Sequence, residues 1–178
     1  MNDFMLNQAA MYTAYHRDRR NIATHVIGVP AIIFAVLMAL QRVPLDFVLP
    51  GLTLAWVVFI LAAIFYLWAH TLAGFILDLL LLAATWGAGA LAMPPIGGYW
   101  IIAAVLFVGG WIFQFVGHGF EGRRPALADN LLQIVVAPLF LVFEGLFALG
   151  AEGGTQRAIA ARSGAYASGG EASTSGHA

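Results

Sequence analysis

Residues 110–125 read GWIFQFVGHGFEGRRP. The stretch opens as an apolar helix and closes on polar and charged groups. Gln114 and His118 are four residues apart, so they share one face of a helix. Glu121 follows, then Arg123 and Arg124, and Pro125 stops the helix. Packing alone gives an apolar segment no reason to carry this set. A metal centre built around His118, at the end of a membrane-embedded helix, does, and the rest of the chain must supply its partners.

The composition says where such a helix sits. Of 178 residues, 61% are hydrophobic and 10% charged, against about 25% charged in soluble domains. Polar side chains cannot cover that much apolar surface, so lipid must. The net charge is −1 with no basic run, which argues against nucleic acid as a partner. The absence of cysteine excludes disulfides, iron–sulfur ligation and thiolate-bound haem. The polar N-terminus, MNDFMLNQAAMYTAYHRDRRN, does not read as a secretory signal.

Working outward from 110–125, the chain divides into an all-α, polytopic membrane bundle. Spans are expected at about 22–40, 50–69, 71–92, 99–117 and 130–149, each near the ~20 apolar residues a crossing needs. Gly28 and Pro30 allow a bend or a close helix contact in the first. Asp129 or Asn130 is placed to cap the fifth. Residues 4–18 interleave Phe4, Leu6, Met11 and Tyr15 with polar groups, which suits an amphipathic helix at the membrane surface or one packed on the bundle. The membrane unit is expected to end near residue 150. Residues 151–178, rich in Gly, Ala and Ser, have no apolar period and are expected to be disordered.

Arginine placement orients these spans. Arg17, Arg19 and Arg20 precede the first and Arg123 and Arg124 the fifth, which puts the N-terminus on the cytoplasmic side. His16, His25, His70 and His118 then all fall at the cytoplasmic end; His177 is in the tail. Neutral imidazole is a versatile ligand for Fe, Zn, Cu and Ni. Converging helix ends can join three or four of these rings, with Glu121 as a possible further ligand. Interfacial histidines bonded to headgroups are the plainer reading of the same pattern. Asn21 lies one turn from His25, as Gln114 does from His118 and Tyr12 from His16, so each can orient a ring from outside the ligand set. Arg123 and Arg124 suit a carboxylate or lipid phosphate. Asp78 and Glu144 are intramembrane acids. Asp78 is shallow enough to stand behind the ligands, whereas Glu144, some 15 residues into its span, reads as about 20 Å deep and structural.

Two blocks carry a resemblance: YHRDRRNIATHVIGVP at the N-terminus, and GWIFQFVGHGFEGRRPALADNLLQ followed by APLFLVFE. They resemble the yeast-type 2-hydroxy fatty acid dioxygenase family, small membrane proteins long catalogued as a domain of unknown function. The likeness covers roughly residues 4–150. It implies an Fe(II)-dependent α-oxidation, in which a 2-hydroxy fatty acid and O2 give CO2 and a fatty acid one carbon shorter. The family's histidines fall on His16, His25 and His118, its Asn on Asn21, its Gln on Gln114 and its Glu on Glu121 and Glu144. His70 lies outside both blocks. The expected setting is a multi-pass membrane protein, of the inner membrane in a bacterium and of the endoplasmic reticulum in eukaryotic relatives. Two other classes fit the residues alone: a bis-histidine haem protein for electron transfer, and a non-catalytic transporter or scaffold.

Overall fold

The computed structural model describes residues 1–92, 98–121 and 132–168, all helical or in short turns. The order is α1 (Asp3–Tyr15), α2 (Arg19–Gln41), α3 (Leu54–Ala69), α4 (Thr71–Ala92), α5 (Tyr99–Glu121), α6 (Gln133–Ala148) and α7 (Gly153–Ser168). Helices α2, α4 and α5 are each long and apolar enough to cross a membrane. Helices α3 and α6 are apolar but have 16 residues, about 24 Å of helix against a hydrocarbon core of ~30 Å. Large apolar side chains such as Ile101, Val105, Ile112 and Phe115 are exposed along α5, as lipid contact requires.

Four helices, α2 to α5, alternate in direction. At the end away from the histidines, buried polar groups clasp them together. Gln41 Nε2 donates to Thr85 O at 2.8 Å, Thr53 Oγ1 donates to Gln41 Oε1 at 2.7 Å, and Tyr99 Oη donates to Met38 O at 2.5 Å. Away from water these bonds have no competitor, so they fix the register of the four helices.

The most extensive helix pair is α2 with α5, and glycine is the reason they lie so close. A Cβ on Gly28 would meet Gly110 O at 2.8 Å, and one on Gly110 would meet Gly28 O at 2.9 Å. A Cβ on Gly117 would overlap Thr24 Oγ1 and Asn21 Oδ1. Gly110 and Gly117 are seven residues apart on the face that also carries Gln114, the small-residue seam by which membrane helices approach.

The opposite end is crossed by α1 and α6. Helix α1 starts beside α3, where Asn2 Nδ2 donates to Trp68 O at 3.4 Å, and ends with His16 beside α2 and α5. It packs between α6 and α7 and is buried on two faces, Met5, Ala9 and Tyr12 on one and Ala10 and Ala14 on the other. Helix α6 runs back the other way. Gln133 Nε2 donates to Gln8 Oε1 at 2.9 Å, Tyr66 Oη donates to Val135 O at 3.0 Å, and Phe143 meets the His70 ring at 5.0 Å. One face of α6, with Val136, Leu139, Phe140 and Phe143, joins Met5 and Tyr12 in a core cluster.

One expectation is corrected here. The segment after residue 150 was expected to be disordered, yet Gly153–Ser168 is a helix. Alanine is the best helix former, and buried Ile159 docks this helix, with Arg162 donating to Asp3 Oδ1 at 2.7 Å and Asn7 Oδ1 at 2.9 Å. The rest of the tail, residues 169–178, lies outside the described residues, as do the expected cap residues Asp129 and Asn130.

Candidate metal centre

His16 is the C-cap of α1, where the backbone leaves the helix at φ −130° and ψ 74°. Asp18 then caps α2, its side chain accepting from Arg20 N at 2.8 Å. This three-residue corner, residues 16–18, brings His16 against His25, nearly two turns into α2. His118 arrives from the last turns of α5, held there by the glycine seam. The ring centroids lie 4.7 Å apart for His16–His25 and 5.1 Å for each of the other two pairs. One nitrogen from each ring falls within 4.8 Å of the others, and all three residues are buried.

Backbone carbonyls set the rings. His16 Nδ1 lies 2.9 Å from Tyr12 O and His25 Nδ1 lies 2.9 Å from Asn21 O. A carbonyl oxygen only accepts, so both Nδ1 atoms carry the proton and both Nε2 atoms carry a lone pair. Those two Nε2 atoms face each other at 3.3 Å. Two lone pairs at that distance repel unless a cation lies between them. Nitrogens 3.3 Å apart, each about 2.1 Å from one ion, subtend about 100° there, within reach of both octahedral and tetrahedral coordination. Burial, and then the neighbouring His25, push the His16 pKa down to about 3, so the ring is in its neutral, ligating form. The donor set fits a divalent metal.

The surroundings sort the other expected residues. The Tyr12 ring stacks on His16 at 3.8 Å and 4°. Burial, then the charge of Glu144, hold the Tyr12 hydroxyl above its ordinary pKa. Asn21 is fully buried, and its backbone carbonyl, rather than its side chain, orients His25. A cavity of about 120 Å³ opens beside the three histidines, bounded by Tyr12, Gln114, Gln133 and Pro138 among others. Tyr12 Oη, Gln114 Nε2 and Gln133 Oε1 are buried with no hydrogen-bond partner among the described residues. Three orphaned polar atoms around one small cavity mark a place for a polar ligand.

Several residues do not join. His70 sits at the other corner of the same end, against Phe143 and 3.5 Å from Glu152 Oε2. Asp78 is buried on α4 near Tyr66, both carboxylate oxygens without a hydrogen-bond partner among the described residues, and does not border the histidine cavity. Glu144 is not some 20 Å from the histidine end, because α6 crosses that end instead of leaving it; its charge reaches Tyr12. Glu121 is the last residue of α5; its side chain, like Arg123 and Arg124, lies outside the described residues. Sequence reasoning missed Gln133, a lone amide at the head of an apolar run, and Gly117 as the spacer behind His118.

Fold and site together define a helical membrane protein with a buried three-histidine cluster able to hold a metal ion. The family model for "2-hydroxy-palmitic acid dioxygenase Mpo1-like" matches residues 3–148, and the chain belongs to that family. It is 40% identical over 146 residues to the 2-hydroxy-palmitic acid dioxygenase MPO1 of Saccharomyces cerevisiae, covering 81% of this chain and 80% of the yeast protein. No solved structure matches it.

Proposed function

We propose that this chain is a membrane-bound, Fe(II)-dependent dioxygenase of 2-hydroxy fatty acids, with His16, His25 and His118 as the iron ligands. The observation that carries the reading is the pair of Nε2 atoms facing each other at 3.3 Å, each on a ring whose Nδ1 meets a backbone carbonyl, beside a third buried imidazole. Family membership supports the substrate class. The overall change is oxidative: a 2-hydroxy acid and O2 give the acid one carbon shorter, CO2 and water.

Iron, when bound, would supply the redox chemistry that lets O2 react. The protein's own groups do the rest. Tyr12 O and Asn21 O hold two ligand rings in the correct tautomer. Tyr12 Oη and Gln114 Nε2 can donate to the substrate's carboxylate, and Gln133 Oε1 can accept from its hydroxyl; bonding to buried atoms that otherwise lack partners makes the head group specific. Gln133 is held for this by its bond to Gln8. Arg123 and Arg124 follow His118 closely in sequence and are proposed to guide the acid to the site. Arginine distribution supports a cytoplasmic site. A bis-histidine haem is disfavoured, since a cavity of about 120 Å³ has no room for a porphyrin between the rings.

Anaerobic reconstitution with Fe(II), then 2-hydroxypalmitate and O2, tests the reading. Wild type is expected to bind about one ion at the three-histidine cluster and release the odd-chain acid. His16→Ala, His25→Ala and His118→Ala are each expected to lose iron and turnover while inserting normally, and His70→Ala to keep both. Stoichiometric iron with no turnover of any 2-hydroxy acid would sink the substrate assignment, and a Soret band would sink the non-haem one.

A further inference from the structure

We propose that the larger apolar cavity between α2, α4 and α6 is the seat of the substrate's acyl chain, and that its walls select chain length. The inference rests on the reading of the histidine cavity as the place of the acid's head group. The larger cavity measures about 700 Å³, and every residue bordering it is apolar. A polar ligand would find nothing there to bond, which makes its entry costly. Val29, Ile33 and Pro138 border both cavities, so the two adjoin across these three side chains. An amphiphile with its carboxyl end beside His16, His25 and His118 would pass its chain between them.

Beyond that passage the walls are supplied by Phe34 from α2, Leu77 and Ala84 from α4, Leu146 from α6 and Leu149 just past its end. From Pro138 to the end of α6 at Ala148 is about 15 Å of helix, long enough to follow most of an extended chain. Helix α6 is a fixed wall rather than a loose one, because its other face is locked into the core through Leu139, Phe140 and Phe143. A phospholipid tail would suit the same apolar walls. What favours the hydroxy acid is adjacency to a cavity with three orphaned polar atoms, which a headgroup held at the bilayer surface would not reach.

Gly145 gives the test. It borders the cavity, and a Cβ built on it meets nothing within 4 Å, so bulk can be added there without displacing backbone. Each methylene denied its apolar site costs about fourfold in binding. Gly145→Trp is expected to lower the kcat/KM ratio of 2-hydroxypalmitate over 2-hydroxyoctanoate at least tenfold, and Gly145→Ala to change it less than twofold. A second arm does not use turnover. Iron-free protein in phosphatidylcholine nanodiscs is photolabelled with a 2-hydroxy fatty acid bearing a mid-chain diazirine. Adducts are expected in segments 76–84 and 141–149, competed by 2-hydroxypalmitate and lost in Gly145→Trp. An unchanged chain-length ratio in an active Gly145→Trp enzyme would overturn the proposal. So would adducts that 2-hydroxypalmitate does not compete, which would mark a seat for bulk lipid. Competed adducts in a protein that turns over no 2-hydroxy acid would support the cavity and place the failure on the proposed chemistry.

Discussion

Gly117→Ala tests whether the metal centre depends on how closely α2 and α5 approach. The added methyl would sit closer than 3.0 Å to both Thr24 Oγ1 and Asn21 Oδ1, and 3.3 Å from His25 Nδ1. Neither blocking side chain is free to move aside. Thr24 Oγ1 donates to Asn21 O at 2.7 Å, and Asn21 is fully buried. The helices must therefore separate by roughly 1 Å to restore ordinary contact. Metal–nitrogen distances tolerate about 0.2 Å, so the His118 ring would be carried out of range of the other two. Overpacking of this kind costs about 1–3 kcal/mol of stability, and disturbing groups that orient ligands typically costs 10–100-fold in metal affinity. Fe(II) affinity should be read by anaerobic chelator competition, with circular dichroism reporting the fold. Gly119→Ala is the control, since its Cβ meets nothing within 4 Å although it adjoins His118. If Gly117→Ala binds iron as tightly as Gly119→Ala, the glycine seam does not set the site and the reasoning fails.

Two further outcomes follow from the same geometry. Gln133→Leu is expected to raise KM for a 2-hydroxy acid about tenfold, the usual worth of one buried hydrogen bond to a charged or polar partner, while iron affinity by chelator competition stays within twofold. His70 gives a pH effect: burial outweighs the nearby Glu152 charge and holds its pKa below the ordinary 6.5. The folded protein then binds this proton more weakly than the unfolded chain, so His70's contribution is fully present above about pH 6.5 and is lost as pH falls from there through the lower folded pKa. Thermal melts from pH 7.5 to 5 should fall less steeply for His70→Gln than for wild type.

Much of this was readable in the sequence because membrane helices leave few choices. Apolar runs of fixed length place α2 to α5, and the charged step at Arg17–Asn21 places the corner that joins α1 to α2. Convergence of His16, His25 and His118 follows from alternation of direction, since the start of α2, which carries His25, and the end of α5, which carries His118, fall on the same side, where α1 ends at His16. What alternation cannot give is position within that end, and His70, at the same level, belongs to a different corner. Helix α6 misled for a related reason. Its 16 apolar residues read as one more crossing, whereas it lies across the histidine end, where Tyr66 and His70 both touch it. Hydropathy reports that a segment avoids water, not which way it points. The α7 helix was hidden because Ala, Gly and Ser in mixture look like low complexity, and one isoleucine and one arginine are too small a signal to reveal docking. Ring orientation was also out of reach, because the carbonyls of Tyr12 and Asn21 that supply it belong to every residue type.

The charge of the cluster points to why the substrate should be an acid. Among the described residues no carboxylate joins His16, His25 and His118, and three neutral imidazoles cancel none of a dication's charge. With the cavity walled largely by apolar side chains such as Val29, Ile32 and Phe115, water can offset little of that charge, and an anion is needed beside it. At about 4 Å and an effective dielectric of about 20, each pair of unit charges contributes about 4 kcal/mol. Desolvating the carboxylate consumes part of this gain, which leaves a preference on the order of 100-fold. The methyl ester of 2-hydroxypalmitate keeps the chain and the hydroxyl but loses the charge. It should therefore compete at least 100-fold more weakly than the free acid for the iron-loaded site, and by a much smaller factor for the iron-free protein, where only the chain and the polar contacts remain. Equal competition by acid and ester in the iron-loaded protein would mean that a negative group outside the three histidines already balances the ion, and the side chain of Glu121 is the one to substitute next.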